Sequence, residues 1–139
     1  MADTVTTQTI ADTSGVKFVA KLTNFSDGTG ETLVKKVDAS ELTFMSEDGN
    51  RSIARVYYSI NTSDRKSGVE ILWAGSGDSA ANATIGFFSG RGFHDYFADG
   101  NSIPNNATLT ANTSPAGDIL FSTKGFVAGD NYTIILEIR

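Results

Sequence analysis

Apolar side chains recur at every second position through much of this chain. Phe18, Ala20 and Leu22 alternate with Lys17 and Lys21, and Ala54, Val56, Tyr58 and Ile60 alternate with Arg55 and Ser59. Val69, Ile71 and Trp73 enclose Glu70, and Tyr132, Ile134, Leu136 and Ile138 are spaced by Thr133 and Glu137. A period of two sends successive side chains to opposite faces of an extended backbone, so each run predicts a strand with one buried face. Leu33–Val37, Ala83–Phe88 and Asp118–Thr123 predict three more strands. Trp73, Phe18, Tyr58 and Ile134 are expected in the core. The Thr-rich opening, Val5–Ala11, predicts either an edge strand or an extended arm over residues 1–9 that lies on a partner.

Turn residues punctuate these runs. Asp27-Gly28, Asp48-Gly49, Asp99-Gly100, Gly117-Asp118 and Gly129-Asp130 supply residue types that tolerate the positive φ of tight turns. Asp38–Leu42 is the one segment that reads as a helical turn, with Asp38 or Ser40 as its cap. Gly75–Ala83 and Ser89–Asn106 read as long irregular stretches. The expected fold is a single all-β domain over residues 1–139, an antiparallel sandwich or its jelly-roll variant with long loops.

Composition narrows the classes. Thr, Ser and Gly number 16, 14 and 14 in 139 residues, the vocabulary of strands and turns. A net charge of -5 lacks the basic footprint that nucleic acid demands. Cysteine is absent, which removes disulfides, thiolate nucleophiles and Cys-based zinc sites. The first ten residues carry no secretory pattern and no run is long enough for a membrane span, so synthesis in cytoplasm is expected.

Catalytic chemistry finds little to stand on. His94 is the single histidine; Asp95, Ser89 and Ser102 permit a triad on paper, but no nucleophile elbow surrounds a serine. Asp27–Glu31 lacks the ligand spacing of a calcium loop and reads as a glycine-allowed hairpin. No metal or cofactor is expected. Asp95 and Asp99 flank Tyr96 and Phe97, which fits a sugar-stacking loop. Phe87, Phe88, Phe93, Tyr96 and Phe97 fall within eleven positions, more aromatic surface than one short loop buries. They divide between core and an interface with a neighbouring chain.

A more specific signal lies at the two ends. The opening Asp3–Ile10 leads into Lys21–Glu31 and Lys36-Val37-Asp38, and the chain closes with Gly117–Gly125 and Gly129–Glu137. Together with Ile71-Leu72-Trp73, this order resembles a family of small virion structural proteins of marine tailed bacteriophages. The resemblance spans about half the chain and leaves out Ser76–Asn112. It implies a protein without enzymatic activity: a capsid cement or decoration protein on the capsid exterior, stabilising capsomer junctions. The implied partners are the major capsid protein and further copies of the chain, as a trimer or dimer, with neither nucleic acid nor membrane. Expected contacts are Thr4, Val5 and Thr7 in the arm and Phe87, Phe88, Phe93, Tyr96 and Phe97 in the loops. A neck or tail subunit is the alternative within that family, and a carbohydrate-binding module on a phage fibre is the alternative outside it.

Overall fold

Ten strands are divided between two antiparallel sheets among the described residues of the computed structural model, which are 3–13, 17–37, 52–73, 83–96, 103–104 and 118–139. They are β1 (Thr4–Thr13), β2 (Lys17–Phe25), β3 (Val34–Val37), β4 (Ser52–Asn61), β5 (Gly68–Trp73), β6 (Ala83–Phe88), β7 (Arg91–Asp95), β8 (Ile103–Pro104), β9 (Ile119–Lys124) and β10 (Asn131–Ile138). The larger sheet runs β1-β2-β10-β4-β7, with β8 also paired to β4; the smaller runs β3-β9-β5-β6. Among the described residues there is no helix, and therefore none long and apolar enough to cross a membrane. The expected helical turn at Asp38–Leu42 lies outside the described residues.

The alternation read from the sequence forms the core. Phe18, Ala20 and Leu22 on β2, Ile134 and Leu136 on β10, and Val56 and Ile60 on β4 face Val69, Ile71 and Trp73 on β5 and Ile119 and Phe121 on β9. Tyr58 is half-buried and packs against this cluster. Tyr132 is buried between Phe121 and Phe126, with ring centroids 5.8 and 6.3 Å away. Leu72 and Leu120 make a small second cluster on the other face of the smaller sheet.

A polar network closes one end. The Glu31 carboxylate is buried and accepts hydrogen bonds from Asn24 Nδ2 at 2.9 Å and the Tyr132 hydroxyl at 2.6 Å, while Lys36 pairs with it. Burial and the neighbouring carboxylate push the Tyr132 hydroxyl far above the ordinary tyrosine range, so it stays a donor. Asp3 Oδ1 accepts from Ser26 Oγ and from the backbone N–H groups of Asp27 and Gly30 at 3.1–3.2 Å. Gly28 and Gly30 both take positive φ in this turn. The turn does not make a hairpin, as the sequence suggests. It carries the chain from β2 in the larger sheet to β3 in the smaller, held by Asp3 from the start of β1.

One further expectation is corrected. Ser89–Asn106 is not irregular throughout, because it contains β7 and β8. Gly92 on β7 is opposite Tyr58, and a methyl group there would lie 2.4 Å from the Tyr58 hydroxyl. A strand whose inward position must be vacant for a neighbour's ring carries no apolar alternation to read. At the N-terminus, β1 pairs with β2 from Thr4 to Thr13, so within the chain this segment is an edge strand.

Candidate functional site

The outward positions of the larger sheet gather exposed aromatic and arginine side chains at its β4–β7 edge. Tyr57 and Phe93 are register partners, so strand pleating sends both to the same outer face. They remain 45% and 57% exposed. Ile135 on β10 is opposite Tyr57 and extends the apolar row inward. One pleat away, Arg55 pairs with Asp95 at 3.1 Å and with the Glu137 carboxylate, which also takes Arg139 at 2.9 Å. These partners, the Asp95 hydrogen bond first, raise the Arg55 pKa and hold its guanidinium charged. On the opposite flank, Ser59 faces Arg91.

Arg91 also lines a cleft of about 460 Å³ at the end of the sandwich, together with Asn61, Thr62, Arg65, Ser89 and Gly90. No ion pair holds Arg65 or Arg91 among the described residues. Aromatic side chains and arginines are the residue types that dominate the centres of protein interfaces, because each covers a large area with few rotatable bonds or donates several fixed hydrogen bonds. Here they form one continuous surface on an acidic chain.

His94 sits on the inward side of β7. Its ring stacks between Tyr58 and Tyr96, with both centroids 5.7 Å away, and Phe88 lies 6.4 Å from it. Nε2 is 3.3 Å from the Tyr58 hydroxyl. Asp95 faces the opposite side and is engaged with Arg55, so the adjacent pair does not assemble as a triad. Burial raises the Tyr96 hydroxyl pKa. Among the described residues no cluster of three or more His, Asp or Glu side chains is placed to hold a metal.

The sequence-predicted contacts separate. Thr4, Val5 and Thr7 are exposed on β1. Phe87 is exposed on the outer face of the smaller sheet, opposite Glu70, and Phe93 is exposed on the larger. Phe88 is buried in the core and is not a surface contact. A bulge between the Ile71 and Leu72 pairings shifts the phase of β6 so that Ile85 and Phe88 both turn inward. Tyr96 is half-buried in the histidine stack, and Phe97 and Asp99 lie outside the described residues. Sequence reading missed Tyr57, Arg65 and Arg91. The signal for Tyr57 was its position: an aromatic at the polar phase of the Ala54–Ile60 alternation. Comparison with protein-family models, curated proteins and solved structures finds no match to this chain.

Proposed function

We propose that this chain is a non-enzymatic virion structural subunit, a capsid cement protein that lies across capsomer junctions on the outside of a tailed-phage particle and binds the major capsid protein. The observation that carries the reading is the Tyr57–Phe93 pair, an exposed aromatic platform flanked by Arg91 on the outer face of the larger sheet. Burying it against a neighbour removes apolar area from water and gives the arginine a partner. The strand order supports the jelly-roll variant of the sandwich: β2-β10-β4-β7 faces β3-β9-β5-β6, and the first strand of that set pairs with the last. Viral capsid domains use that architecture, an analogy of fold and not of site. Affinity per copy is modest in such a role, since many copies act together on a closed shell.

The test is copy number, by quantitative mass spectrometry of purified particles. Stoichiometry comparable to the major capsid protein is expected. About a dozen copies or fewer would assign the chain to the neck or tail instead, as a single symmetric ring, and absence from particles would overturn the structural role. The double variant Tyr57→Ala/Phe93→Ala should keep its unfolding midpoint, within about 0.5 kcal/mol as for surface changes, and lose occupancy on the particle.

A further inference from the structure

We propose that β1 joins two copies of this chain into a dimer, pairing antiparallel with the β1 of the second copy about a two-fold axis normal to the larger sheet and centred on Thr7. The inference stands on β1 alone and is independent of the virion reading.

β1 contributes little to the core of its own chain. Val5, Thr7 and Thr9 are opposite Asn24, Leu22 and Ala20, which are buried, so all three point to the inner side of the sheet. Yet every residue from Thr4 to Ile10 is exposed, so neither face of β1 is covered along this run. Its main-chain groups pair with β2 on one side, and no strand covers the other side among the described residues. An extended row of unpaired N–H and C=O groups templates a further strand unless charge, brevity or a bulge blunts it.

The remaining sheet edges are blunted. β3 has four residues, two of them Lys35 and Lys36, and a register break. β7 has five, with Arg91 and Asp95 at its ends and Gly92 within. β6 is broken by a bulge and carries Gly86, which leaves no regular run longer than three residues. β1 differs on each count. It is regular from Thr4 to Thr9, with its first register break only between Thr9 and Ala11, and it carries no charge from Thr4 to Ala11.

Symmetry selects the second copy as occupant and sets the register. Residues directly opposite in a ladder share a face, so a two-fold axis normal to the sheet can pair a strand with itself only when the two positions have the same parity. Centring on Thr7 places Thr7 opposite Thr7, Val5 opposite Thr9 and Thr6 opposite Gln8, with the bulged Ile10 at the end of the ladder. Threonine and β-branched cross-strand pairs are favourable, and no like charges meet. Asp3, held by the Ser26–Gly30 turn, and Asp12 are not opposite each other in this register.

Sedimentation equilibrium of the full chain, from micromolar to millimolar concentration, reads the proposal. The mass should rise from 14.7 kDa toward twice that value. Thr7→Lys brings two ammonium groups together at the axis and should weaken the association about fivefold, with an unchanged circular dichroism spectrum because the position is exposed. Hydrogen exchange should show alternate β1 amides, those aimed away from β2, protected in the dimer and rapidly exchanging in Thr7→Lys. A monomer at every concentration overturns the proposal. So does a dimer that Thr7→Lys leaves intact, or one whose outward β1 amides exchange freely. Should Thr7→Lys fail to fold, Thr7→Cys decides: in a chain without cysteine it should cross-link to itself on oxidation, since opposed strand positions lie within disulfide reach. Failure to cross-link overturns the register.

Discussion

Replacing Lys36 with Met should destabilise the fold by about 3–5 kcal/mol, the cost of stranding one member of a buried ion pair. The Lys36 and Glu31 side chains are 5% and 6% exposed, so water does not replace the lost partner. Met preserves most of the apolar stem, which keeps packing losses small. Glu31 would retain the hydrogen bonds from Asn24 and Tyr132, but neither brings a positive charge. Equilibrium urea unfolding measures the loss; at a slope of about 1.5–2 kcal/mol per molar, the midpoint should fall by roughly 2 M. Adding Glu31→Gln removes the stranded charge and leaves an amide oxygen that still accepts from Asn24 and Tyr132. The residual cost should then be about 1–3 kcal/mol, that of an unpaired buried polar group. A single Lys36→Met variant within about 1 kcal/mol of the parent, or a double variant less stable than the single, would refute the reasoning.

Three other outcomes follow from the same geometry. Trp73→Ala should cost about 3–5 kcal/mol in chemical unfolding, because the indole is fully enclosed on β5; an unchanged midpoint would remove Trp73 from the core. Asp130 is buried and accepts from the backbone N–H of Ser63 at 3.0 Å and of Val127 at 2.9 Å, so Asp130→Ala should cost about 2–4 kcal/mol and Asp130→Asn less. The Asp27 carboxylate accepts from Thr29, side chain and backbone, which lowers its pKa below the ordinary aspartate value. A lowered native pKa means its small contribution to stability is present above the unfolded value and lost as pH falls through the native one. Carboxyl-carbon NMR should show its midpoint below that of an unstructured Asp, moving back upward in Thr29→Ala; a midpoint at the ordinary value would contradict the turn geometry.

The core was legible because burial on one face leaves an alternating trace. Phe18, Trp73 and Ile134 lie where period two puts them. What escaped reading arises where the period breaks or where the determining contact is remote. Ile85 and Phe88 share the core three residues apart, which only the bulge in β6 allows, so Phe87 and Phe88 exchange the faces a simple count suggests. β7 is silent because its inward places hold Gly92, which admits the Tyr58 ring, and His94, which stacks on it. The Asp27-Gly28 turn spans two sheets because Asp3, more than twenty residues earlier, binds its amides. No local pattern encodes that distance.

Exposure alone does not mark a surface as functional, and this distinction decides which parts of the candidate site bear weight. Phe25, Val127 and Ile10 are as exposed as Tyr57, but scattered apolar residues are normal on any folded chain. Tyr57 and Phe93 differ because the register makes them neighbours on a rigid face and places Arg91 beside them. Their position in the sheet has a further consequence. β1 lies at one edge and the aromatic pair at the other, across β2 and β10. Pairing through β1 would therefore form one continuous sheet whose two aromatic–arginine patches face the same way, roughly 40 Å apart at the usual strand spacing before twist. In the proposed role a rigid dimer of that form would contact a shell at two points, the second contact being made at the high effective concentration set by the first. Thr7→Lys should then reduce particle occupancy without altering the Tyr57–Phe93 surface, whereas Tyr57→Ala/Phe93→Ala should reduce occupancy and leave the dimer intact. Loss of the dimer in Tyr57→Ala/Phe93→Ala would show that the two surfaces are not separable, and unchanged occupancy in a monomeric Thr7→Lys would bring down the two-point geometry.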